Sequence, residues 1–108
     1  MTSPQGPHPP TTLADAAAIG FDAARLERCL TLQAFHIESG RYRVLGGSQP
    51  HWVDLVSADV PRCDCGDYLW REQVCKHILA ALLREGDERV LSALRELIIL
   101  ARSRPLAA

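Results

Sequence analysis

The 108-residue sequence lacks most of the features that would assign a protein quickly. It opens MTSPQGPHPPTT, with no positive start and no apolar stretch behind it, so no secretory signal is expected. The longest apolar runs, residues 78–83 and 97–101, are far too short to span a bilayer. Net charge is −1, which excludes a global pull toward nucleic acid or an anionic membrane. No H-E-x-x-H, G-x-S-x-G or P-loop occurs, nor the H-x-E of zinc deaminases, so a hydrolase or deaminase is not expected. Lys76 is the sole lysine, and there are no internal repeats. What remains is an ordinary composition, 47% hydrophobic and 23% charged, expected to make one cytoplasmic domain with a modest core.

Cysteine is also scarce, but its distribution is not ordinary. Three of the four cysteines fall within CDCGDYLWREQVCKH, residues 63–77. A reducing compartment argues against a disulfide framework and for metal or redox chemistry. Cys63, Cys65, Cys75 and His77 together offer three thiolates and one imidazole, a full tetrahedral donor set for Zn²⁺. A redox C-x-C would leave Cys75 and His77 unexplained. An iron–sulfur centre remains an alternative, although the C-x-H pair comes last, unlike the usual Rieske arrangement.

Geometry constrains how the four could meet. Zn–S bonds of about 2.3 Å put two sulfurs roughly 3.8 Å apart, whereas alternate side chains on a flat strand stand roughly 7 Å apart. The chain must therefore bend at Cys63–Cys65. Positions two apart in a helix point about 200° apart, so Cys75 and His77 are expected at a helix entrance. Arg62, Lys76 and the amides of that entrance are expected to favour thiolates. A fourth protein donor leaves no open position for water, so the metal reads as structural. Cys29 stands alone on a helix face and reads as a buried apolar residue.

The rest of the chain frames this cluster as an α+β fold. Residues 1–11 read as a disordered tail. Residues 12–34 read as a helical segment, with Thr12 capping one helix and Asp22 a second. Alternation then sets in: Phe35 and Ile37, Tyr42 and Val44, Val53 and Leu55 would form the inner face of a three-stranded antiparallel meander. His36, Glu38, Arg41, Arg43, Trp52 and Asp54 would form its outer face. A helix over 74–85, stopped by Gly86, and a last helix over 87–104, capped by Asp87, complete the pattern.

The spacing C-x-C, nine residues, C-x-H resembles the SWIM-type zinc finger. The surrounding text, Cys63-Asp64-Cys65-Gly66-Asp67-Tyr68 and Cys75-Lys76-His77-Ile78-Leu79-Ala80, resembles it too. The resemblance implies a ββα finger, here over 35–86, with one structural zinc and a role in binding DNA or proteins.

Two partner classes follow. Residues 35–85 carry six basic and seven acidic side chains, without the basic excess of a phosphate-tracking surface. A protein-interaction or adaptor module is therefore favoured over a nucleic-acid-binding one, and no small-molecule substrate is implied. Candidate partner-binding residues are Arg41, Arg43 and Trp52 on the sheet, where arginine beside tryptophan suits stacking, and Trp70 and Arg71 between the ligand pairs. The apolar last helix, with Ile98, Ile99 and Leu100 on more than one side, suits docking to a partner or to a second copy.

Overall fold

Local chemistry sets the ends of the helices. The structure, a computed structural model, describes residues 12–56, 60–66 and 74–103; the expected tail over 1–11 lies outside them. Helix α1, Leu13–Ile19, starts where Thr12 Oγ1 accepts the Asp15 amide at 3.1 Å. Helix α2, Ala23–Cys29, starts where Asp22 Oδ1 accepts the Arg25 amide at 2.9 Å. Each cap satisfies a donor that the first turn leaves without a partner.

Four strands follow: β1 Gln33–Glu38, β2 Arg41–Leu45, β3 His51–Asp54 and β4 Arg62–Cys63. They pair antiparallel in chain order. The β1–β2 turn needs a glycine: Gly40 has φ 72°, and a Cβ there would lie 2.9 Å from the Val56 amide nitrogen.

Helix α3, Lys76–Glu85, lies against all four strands and also touches α2 and helix α4, Glu88–Ser103. His77 through Leu82 are all buried, so sheet and helices together enclose its first turns. Ile78 and Leu79 are fully shielded from solvent, each contributing roughly 1.5–3 kcal/mol. Its far end is tied to the sheet where the Tyr42 hydroxyl donates to Glu85 Oε2 at 2.8 Å. Burial and that hydrogen bond push the Tyr42 hydroxyl up to about 12. The helix stops at Gly86, φ 78°, in a Schellman arrangement: the Gly86 amide bonds the Leu83 carbonyl and the Asp87 amide that of Leu82. Asp87 then caps α4 by accepting the amides of Arg89 and Val90.

Two features depart from the sequence expectation. The sheet has a fourth strand, because Cys63 pairs with Val53 and Arg62 with Asp54. The face of β1 is also the opposite of the expected one. Ala34 stands opposite Val44, His36 opposite Tyr42 and Phe35 opposite Arg43. Ala34 and His36 therefore share the Tyr42 face, while Phe35 turns to the other and is 46% exposed. Ile37, at a register shift between His36 and Glu38, is 50% exposed. The cross-strand register fixes the choice: with Tyr42 and Val44 buried on β2, their partners His36 and Ala34 take the same face.

Candidate metal centre

The bend demanded by the C-x-C pair is present. Strand β4 ends at Cys63, and Cys65 lies beyond it, yet both side chains are buried. Cys75 is the N-cap of α3, with extended φ −84° and ψ 170°, and His77 is the second residue of that helix. An extended N-cap residue is not yet on the helical spiral, so its side chain escapes the 200° divergence that would separate a mid-helix pair. Sheet edge and helix start thus bring the four donors together: one ligand atom from each lies within 4.8 Å of all the others, and all four residues are buried.

That spacing is within about 1 Å of the roughly 3.8 Å edge of a tetrahedral thiolate site. The polar chemistry fits a cation as well. The neighbouring Cys65 and Cys75 thiols, and then burial, push the Cys63 thiol far up. At Cys75 the Cys63 thiol acts downward, but the Cys65 thiol and burial outweigh it and push the group up to about 12. Three buried thiols this close cannot ionise together unless a cation offsets their charge. Of the groups expected to favour the thiolates, the Ile78 amide at the helix entrance does act downward on Cys75, but the crowded thiols and burial outweigh it. His77 Nδ1 is buried with no hydrogen-bond partner, a state that costs about 1–3 kcal/mol and that a metal bond would relieve. The residues therefore fit a zinc ion, to which they would supply three thiolates and one imidazole.

The surroundings include residues that sequence reasoning passed over. His51 reads from sequence as a strand-end polar residue. Its ring in fact packs against that of His77, with centroids 4.3 Å apart and planes tilted by 45°. His51 Nδ1 lies 2.9 Å from Asp64 Oδ1, which also accepts the Trp52 amide at 3.1 Å. Only the cross-strand register, which sets Val53 beside Cys63, could have shown that His51 approaches the centre. Cys29 belongs to the core and not to this cluster, with burial pushing its thiol up to about 11.

The candidate partner residues divide. Arg43 stands opposite both Phe35 and Trp52, so the three form a row across β1, β2 and β3. The Arg43 guanidinium carbon lies 5.8 Å from the Trp52 ring centroid, and Trp52 is 51% exposed. Arg41 lies on the same sheet, but its guanidinium is engaged by Glu38 at 2.9 Å and Asp54 at 3.7 Å. Trp70 and Arg71 lie outside the described residues. On α4, Val90 and Leu94 are buried and Leu97 is partly so, while Ile98 and Ile99 are exposed. Among the described residues no helix is long and apolar enough to cross a membrane.

Comparison with known families places this geometry. Residues 42–86 match the SWIM zinc finger. The match runs from the second residue of β2 through α3, and all four donors lie inside it in the C-x-C, C-x-H order of that zinc site. Strand β1 and helices α1, α2 and α4 lie outside it. Comparisons with curated proteins and with solved structures give no match.

Proposed function

We propose that this chain is a zinc-stabilised protein-interaction module rather than an enzyme. One Zn²⁺ per chain is held by Cys63, Cys65, Cys75 and His77, and it fastens the end of β4 to the start of α3. The observation that carries this reading is the convergence of those four buried donors within 4.8 Å. Because the chain supplies all four positions, none is left for a reactive water, and the zinc contributes fold rather than chemistry.

The docking surface in this reading is the outer sheet face. Phe35, Arg43 and Trp52 form its centre, flanked by Ile37. Arg43 forms no ion pair with any described residue, whereas Arg41 is neutralised by Glu38 and Asp54. One unpaired guanidinium between two half-exposed aromatic rings suits a protein segment with apolar side chains and a single carboxylate, and tryptophan and arginine are the usual energetic anchors of interfaces. The exposed end of α4 is a second candidate surface, for a partner or another copy.

A nucleic-acid reading draws on the same row, since aromatic and guanidinium planes also stack on bases. With Arg41 neutralised, Arg43 and Arg62 remain on this sheet, too few cations to track a phosphate backbone. The test combines a partner capture with a salt titration against single- and double-stranded oligonucleotides. Substituting Phe35, Arg43 and Trp52 together by alanine should leave metal content unchanged and abolish partner capture. Tight, sequence-selective oligonucleotide binding at physiological salt, lost on Arg43→Ala, would replace this reading with the alternative.

A further inference from the structure

Metal-binding histidines are normally oriented by a hydrogen bond from the ring nitrogen that does not bind the metal. His77 has no such bond: with the orphaned Nδ1 free to take the metal, no hydrogen bond joins its Nε2 to a described residue. Something else must hold the ring, and His51 packs against it at 4.3 Å.

His51 is itself held. Its Nδ1 meets Asp64 Oδ1 at 2.9 Å, and its side chain is only 22% exposed. Asp64 sits between Cys63 and Cys65, and it is tied to β3 twice. Its carboxylate accepts the Trp52 amide at 3.1 Å, and its own amide donates to the Trp52 carbonyl at 3.4 Å. One residue therefore fixes the bend that carries two thiols and orients the ring that packs on the fourth donor.

We propose that Asp64 and His51 are positioning residues for the metal centre: Asp64 orients His51, and His51 holds the His77 imidazole facing the three thiols. The inference rests on the zinc reading above. It also explains why His51, at the start of a short edge-proximal strand, is largely withdrawn from solvent. In the metal-free protein the stacked ring limits His77 to the inward rotamer, so little reordering is needed on binding. Without it the imidazole is free to turn away, and the centre must hold its metal against that freedom.

The test measures zinc affinity by competition with a chromogenic chelator, using the full chain as wild type, His51→Ala, His51→Phe and Asp64→Ala. Loss of an outer-shell partner typically weakens metal binding about 10–100-fold. His51→Ala and Asp64→Ala, the latter releasing both His51 and the Trp52 amide, should fall in that range. His51→Phe, which keeps a ring against His77 without the Asp64 bond, should recover most of the loss. Cobalt-loaded His51→Ala should show a shifted ligand-field band with its thiolate charge-transfer band retained, a change that loss of stability alone would not cause. If His51→Ala does not fold, Asp64→Ala decides the matter: zinc affinity equal to wild type overturns the positioning role. Affinity in His51→Ala equal to wild type, or His51→Phe as weak as His51→Ala, overturns the positioning role while leaving zinc binding intact. A wild-type chain that takes up no zinc removes both readings together.

Discussion

Cys75→Ser should change the sign of its effect on stability depending on whether zinc is present. Cys75 is the N-cap of α3, its backbone is extended, and its side chain makes no cap hydrogen bond. Serine is among the best N-cap residues, and its hydroxyl could accept an amide of the first turn, a gain of about 1 kcal/mol over a non-capping side chain. In EDTA the variant should therefore match or exceed wild type, by up to about 4–8 °C in Tm for a domain of this size. With zinc the order reverses. Zinc at a thousand times its Kd stabilises the wild type by about 4 kcal/mol, a rise of roughly 15–30 °C, and the variant, short of one thiolate, gains little of it. The assay is paired thermal melts by circular dichroism, with excess zinc and with EDTA. A serine variant that is the more stable protein in both buffers would mean that Cys75 caps a helix and binds nothing.

Three further substitutions test the frame around the centre. Val44→Ala on the buried face of β2 should cost on the order of 2 kcal/mol, whereas Phe35→Ala on the outer face should stay within roughly 0.5 kcal/mol; urea melts giving the opposite order would restore the inward assignment of Phe35. Asp87→Ala should cost about 1 kcal/mol by removing the α4 cap. Burial acts to raise the Asp87 carboxyl, but the Arg89 side chain and the Val90 and Arg89 amides outweigh it and hold the group below its ordinary value. A lowered folded pKa means that the cap is at full strength above the ordinary aspartate range and is lost only as pH falls through the folded value. The deficit of Asp87→Ala should therefore be equal at pH 7 and pH 5, and a deficit that shrinks at pH 5 would contradict the assignment.

These tests separate what the sequence made legible from what it did not. The helix ends were readable because caps are local: Thr12, Asp22, Gly86 and Asp87 act on amides or carbonyls within a few residues. The donor set was readable because its chemistry is scarce, and the helix entrance followed from the 200° divergence of Cys75 and His77. The face of β1 was not. Ala34, Phe35 and Ile37 are all apolar, so a two-residue period fits either phase, and the choice was made by the cross-strand register with Tyr42 and Val44. Strand β4, at two residues, has no period to detect. The place of His51 beside His77 depends on β3 meeting β4, a non-local pairing that no spacing along the chain reveals.

The central claim is that four buried side chains hold one zinc ion, and X-ray absorption at the zinc edge of the purified protein measures this most directly. The account predicts one zinc per chain, with a shell of three sulfurs at about 2.3 Å and one nitrogen at about 2.0–2.1 Å. A protein without stoichiometric zinc, or a shell dominated by oxygen, would contradict it.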